Sequence, residues 1–124
     1  MRLLIIALFI SLLVSCKNEK KAQESLYPEV EKTAEQLGQE LFEGKGNCIA
    51  CHQPEQKIVG PSIAQIAKTY KEKKASIVSF LKEESEPIVD PSQYEVMKTN
   101  FAITKNMSDA ELQALESYMH SFAK

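Results

Sequence analysis

Apolar residues along this chain fall into one long block and four periodic stripes. The block runs from Leu3 to Val14 and is apolar except for Ser11. The first stripe is Ala34, Leu37, Leu41 and Phe42, interleaved with Glu35, Gln36, Gln39 and Glu40. That spacing predicts a helix from about Lys32, ended by Gly44 and Gly46. Ile63, Ile66, Ala67 and Tyr70 predict a second helix starting near Ser62. Ile77, Phe80 and Leu81 predict a third, over about Lys74 to Glu84. Leu112, Leu115, Tyr118 and Met119 form the stripe of a last helix. Its start carries a capping box, with Ser108 at the cap and Glu111 three residues on. Between Pro87 and Met107 no stripe is legible, and a long loop is expected there. No segment alternates as a strand would, so the fold class is all-α, with about four helices.

The apolar block is too short to anchor the chain as a helix. Twelve residues span roughly 18 Å, against a hydrocarbon core of ~30 Å. Met1-Arg2 places a positive charge before it, which is the pattern of an export signal over residues 1–15. The block ends Leu13-Val14-Ser15-Cys16, which resembles the lipobox of bacterial lipoprotein signals. That resemblance implies cleavage before Cys16 and lipidation of its thiol. More than one acyl chain would make the attachment stable. Residues 16–31 then read as a lipidated N-terminus and a flexible tether, polar, charged and interrupted by Pro28. About fifteen residues stretch to roughly 50 Å at most and average nearer 20 Å as a coil. Residues 32–124 form the remaining domain.

Composition narrows the function. The chain has 124 residues, and its 15 Lys+Arg against 17 Asp+Glu give a formal charge of −2. A nucleic-acid binder usually carries a basic excess, so no nucleic-acid partner is expected. Three cysteines do not make a disulfide framework. A domain of about 90 residues has little core of its own and gains from covering a large apolar ligand.

That ligand has a sequence signature. Cys48-Ile49-Ala50-Cys51-His52 is C-x-x-C-H, the attachment motif of c-type haem. Two thiols three residues apart can add to two vinyl groups on one porphyrin edge, and the next residue can ligate iron. Export agrees with this chemistry. Three other readings compete. A thioredoxin-like pair wants a βαβ neighbourhood. Zinc wants four ligands, and His120 is the only other His, expected on the surface. A Cys48–Cys51 disulfide leaves His52 without a role.

These residues resemble the small, monohaem class I cytochromes c, over about residues 33–124. Gly38 and Phe42 match the family's first-helix pair, and Leu115 and Tyr118 match the last-helix positions that cross it. Gly60-Pro61-Ser62 follows the motif. In the family the Pro carbonyl accepts a hydrogen bond from the proximal His, so Pro61 is expected to orient His52. The resemblance implies one covalent haem c on Cys48 and Cys51, with His52 as an axial iron ligand. For the other ligand the choices are Met97, Met107, Met119 and His120. Met107 precedes the Ser108 cap and faces Leu112, a hydrophobic-staple arrangement. Met119 reads as helix contact. Met97 lies in the long segment where the family places its axial Met, and the resemblance implies Met97, with Met107 its main rival. The chain departs from the family in having Lys98 where Pro often follows the Met. It also has no Trp, and Tyr94 is a candidate to stand near a haem propionate in its place.

The expected activity is one-electron transfer between respiratory partners (a dehydrogenase, oxidase or reductase), not enzymatic turnover. The protein is expected to be a monomer, held by Cys16 to a bacterial membrane with its domain on the periplasmic or extracytoplasmic face. A haem module that binds or senses a ligand, or an accessory haem domain of a redox enzyme complex, is the alternative. It would need a weak or absent Met97 bond.

Overall fold

A computed structural model describes residues 31–123. The apolar block, Cys16 and most of the tether lie outside the described residues. No helix among the described residues is long and apolar enough to cross a membrane. The described fold is helical, and its only ladder pairing is an isolated bridge between His52 and Lys57.

Helix α1 spans Ala34–Glu43. Thr33 caps it, accepting from Gln36 N while the Gln36 side chain accepts from Thr33 N. Its inward face is Gly38, Leu41 and Phe42, with Leu37 half-buried; Ala34, expected in the stripe, is exposed. Helix α2 spans Ile63–Lys73, capped by Ser62. Ile63, Ile66, Ala67 and Tyr70 are buried, as the periodicity requires. Lys71 and Lys73 occupy its last turn, where positive charge suits the helix dipole.

The third helix is shorter than its charged flanks suggest. Helix α3 spans only Ile77–Leu81. Lys74 closes α2 in the left-handed region, with φ 52°. Glu83 stops α3 in the same way, with φ 59°, and pairs with Lys105. So short a helix needs its free N–H groups satisfied from outside. Glu116 does this: its Oε1 accepts from Ile77 N at 2.6 Å, Val78 N at 3.3 Å and Ser76 Oγ at 3.1 Å.

The expected loop up to Met107 is overturned. Pro91–Gln93 forms a 3₁₀ turn, α4 spans Tyr94–Met97, Lys98–Asn100 forms a second 3₁₀ turn, and α5 spans Phe101–Thr104. Pro91 suits the first helical position because no N–H is required there. Tyr94, Met97, Phe101 and Thr104 lie on the sheltered side, while Glu95, Val96, Lys98, Thr99 and Ala102 are exposed. The period is helical, but a buried Thr104 disguises it. Its hydroxyl donates to the Leu81 carbonyl at 2.8 Å, which satisfies both groups away from water.

Helix α6 spans Asp109–His120 and has its capping box in place. Lys45 adds an ion pair to Glu111 at 2.6 Å, and with Ser108 holds that carboxyl down at about 2. Met107 is buried in the same core cluster as Leu112.

Helices α1 and α6 make the most extensive helix pair of the described fold. They cross where Gly38 has no side chain. A Cβ there would lie 2.0 Å from the Ala114 carbonyl oxygen and 2.6 Å from Tyr118 Cβ. The Phe42 and Tyr118 rings stack beside the crossing, 5.4 Å apart and tilted by 58°. Gly38→Ala should therefore force the helices apart and cost about 1–3 kcal/mol, the usual range for overpacking. Urea unfolding measures this, and an unchanged midpoint would contradict the close crossing.

Candidate functional site

The link from α1 to α2 is built around the C-x-x-C-H motif. Gly46 N donates to Leu41 O at 2.7 Å and Asn47 N to Gly44 O at 2.9 Å, so the chain reverses tightly. Gly46 is required by closeness: a Cβ would stand 2.7 Å from Leu41 O and 3.0 Å from Cys48 Sγ. Asn47 takes a left-handed conformation, φ 49°, which asparagine tolerates better than most residues. Cys48–Ala50 then forms a single 3₁₀ turn. Both Cys51 N and His52 N donate to Cys48 O, at 3.1 and 3.0 Å. One turn of backbone thus carries both thiols and the imidazole.

The two thiols are free and are not bonded to each other. Burial pushes the Cys48 thiol up to about 11. It is therefore a neutral thiol at physiological pH. His52 Nδ1–H donates to the Pro61 carbonyl at 2.7 Å. This assigns the proton to Nδ1 and leaves Nε2 with its lone pair. Burial lowers the imidazole pKa, against the opposing effect of the Pro61 bond, and so favours the neutral ring, the form that binds a metal. Gly60 makes room for this contact. A Cβ at Gly60 would lie 2.4 Å from His52 Cε1 and 2.8 Å from Nδ1. Gly60 N also donates to Cys51 O at 2.9 Å, which closes the loop onto the motif.

These groups share one large, mainly apolar cleft. Cys48, Cys51, His52, Pro61 and Met97 all line it. Phe80, Tyr94, Ile66, Leu81, Leu115 and Met119 complete its walls. Val59 and Val96 also line it and are each about half exposed, so they lie toward its mouth. Phe80 packs on Phe101 at 5.4 Å and on Tyr94 at 6.3 Å, giving the cleft an aromatic wall. Met97, Met107 and Met119 are thereby separated: Met97 and Met119 line the cleft, and Met107 does not. His120 is half-buried rather than exposed, and it lines a different surface depression beside Tyr70, Lys71 and Lys74. Among the described residues no group of three or more His, Cys, Asp or Glu side chains gathers as a metal site would require.

Two ties across the site have no sequence signal of their own. Asn100 Nδ2 donates to Gly46 O at 3.2 Å, joining the Met97 segment to the turn before Cys48. Lys57 reaches Asp90 at 2.7 Å. Both depend on positions far apart in the chain being brought together, which periodicity and motif spacing do not report.

The donor set suits a haem. Two unpaired thiols stand three residues apart, an imidazole presents Nε2, a thioether lines the same cleft, and the walls are apolar and aromatic. Comparison with known proteins points the same way. The family described as "Cytochrome c" matches residues 35–123. Over 29 residues the chain is 59% identical to cytochrome c-552 of Nitrosomonas europaea. That stretch is 23% of this chain and covers 28% of the relative's length.

The Gly60 contact is directly testable. Gly60→Ala should displace the His52 ring from Pro61, shift the ring resonances in NMR, and lower stability by about 1–3 kcal/mol. Unchanged resonances with unchanged stability would contradict the close approach.

Proposed function

Since the chain belongs to the cytochrome c family, whose haem c is covalently bound and whose work is electron transfer, we propose a membrane-tethered monohaem carrier with His52 and Met97 as iron ligands. In this reading Cys48 and Cys51 hold the haem through thioether bonds. When bound, the haem supplies a one-electron Fe(III)/Fe(II) couple. The rest of the work is done by this chain's own side chains. The Pro61 carbonyl holds the His52 ring in one orientation and makes its free nitrogen a better donor. The Met97 sulfur favours the ferrous state and raises the potential relative to two imidazole ligands. Two protein ligands together leave no place for a substrate at the metal. The apolar and aromatic walls exclude water and favour the less charged oxidation state.

The observation that carries this reading is that Met97 lines the same cleft as Cys48, Cys51 and His52, whereas Met107 lies outside it and Met119, which also lines it, is buried in the core on α6. The membrane attachment rests on the sequence alone. Leu13-Val14-Ser15-Cys16 resembles a lipobox, and the polar stretch after it suits a tether. Partners are then redox proteins within the tether's reach, a dehydrogenase, oxidase or reductase, met in small and transient encounters.

Ligation is tested with carbon monoxide and optical spectra of the reduced holoprotein. Wild type and Met107→Leu should keep the methionine-ligated spectrum and resist carbon monoxide. Met97→Leu should lose that spectrum and bind the gas rapidly and completely. Loss confined to Met107→Leu would move the ligand to Met107, and loss in neither variant would refute both assignments and leave Met119 as the thioether in the cleft.

A further inference from the structure

Between His52 and Pro61 the chain makes an excursion, and Lys57 stands on it. Its backbone bridges to His52, and next to it Ile58 N donates to Gly60 O at 3.3 Å. From this loop Lys57 Nζ reaches Asp90 Oδ2 at 2.7 Å, across 33 positions of sequence. Asp90 is already held in place: Ser92 Oγ donates to its Oδ1 at 2.6 Å, and Gln93 N donates to its carbonyl at 3.1 Å. Its side chain is 16% exposed, against 57% for Lys57, and the residue lines the cleft.

The place of this pair in the fold gives it a task. Asp90 directly precedes Pro91, where the helical run that carries Met97 begins. The single turn α4 packs chiefly on the two turns that flank it in the chain, so it depends on outside ties for its position. On the side toward Phe101 those ties include the aromatic wall and the Asn100–Gly46 bond. On the Pro91 side stands the Lys57–Asp90 pair. Exposed ion pairs usually contribute little, in part because two mobile side chains must be immobilised. Here Ser92 has immobilised one of them, and the pair joins two segments whose separation matters.

We propose that Lys57 and Asp90 form a latch: their ion pair ties the loop that orients His52 to the start of the Met97 run, and so sets how firmly Met97 holds the iron. Both are positioning residues, acting through His52's loop and Met97's helix without touching the metal. The latch rests on Met97 being the ligand. Its effect is a matter of competition. Loosening the Met97 segment lets an added ligand displace the thioether more easily, with no change in the haem attachment.

The test uses ferric holoprotein and imidazole as the competing ligand. Asp90→Asn and Lys57→Gln should each bind imidazole about fivefold more tightly than wild type at low ionic strength, the scale of one well-placed exposed pair. High salt should narrow the difference, since it screens the wild-type pair. The double variant Lys57→Gln with Asp90→Asn should bind imidazole no more than about twofold more tightly than either single variant, because each single change already breaks the one pair. A merely structural pair would lower the melting temperature and leave imidazole affinity unmoved, and that result overturns the latch. So does a double variant whose effect is the product of the two single effects, since independent sites would act separately. If Met97→Leu keeps the wild-type spectrum, Met97 is not the ligand and the latch falls with that reading, a failure visible before either Lys57 or Asp90 is altered.

Discussion

The crossing of the first and last helices at Gly38 is the constraint on which the rest of the described fold depends. With no side chain at that position, the backbone of α1 lies against the Ala114 carbonyl, and Phe42 and Tyr118 close over the contact. The two ends of the domain are thereby joined, and everything between them must arch away and return. Helices α2 and α3 pack on α6, and the segment from Pro87 to Thr104 closes the other side. These helices are too short to fill the space with their own side chains. The result is an apolar cleft bounded by residues from nearly every element. A flat, apolar prosthetic group completes such a core, which a domain of this size could not easily complete alone.

Within that frame the chemistry is set by short-range geometry. The 3₁₀ turn Cys48–Ala50 and the two residues after it present two thiols and an imidazole, and two glycines make the turn and its return possible. Gly46 admits the Leu41 carbonyl, and Gly60 admits the His52 ring. The Pro61 carbonyl then fixes which nitrogen of His52 carries the proton. The Met97 thioether, which lines the same cleft, stands on a segment of single helical turns. It is steadied by rings, by Asn100 and by a surface ion pair. The motif on one segment and the thioether on another thus meet in one cleft.

Much of this was legible in the sequence where the signal is local. The caps at Ser62 and Ser108 and the stripes of α2 and α6 reflect interactions within four residues, and they stand where the spacing puts them. C-x-x-C-H is equally local. The misreadings arise where local cues mislead. Lys74 and Glu83 are ordinary helix formers, yet tertiary packing places both in left-handed backbone, so the helix between them is cut to five residues. From Pro91 to Thr104 the helical period is broken into turns of three or four residues and ends on a buried hydroxyl, so hydropathy reads it as loop. Ala34 has the right spacing but sits at the first turn and is exposed. Ion pairs and hydrogen bonds between distant positions, such as Lys57–Asp90 and Glu116 with the start of α3, leave no trace in periodicity.

The central claim is that haem is joined to this chain through Cys48 and Cys51. The most direct measurement is the mass of the purified holoprotein under denaturing conditions, followed by peptide mapping. The account predicts the polypeptide plus one haem, with the added mass retained on the peptide that contains residues 48–52. A bare polypeptide, or haem that leaves on denaturation, would contradict it.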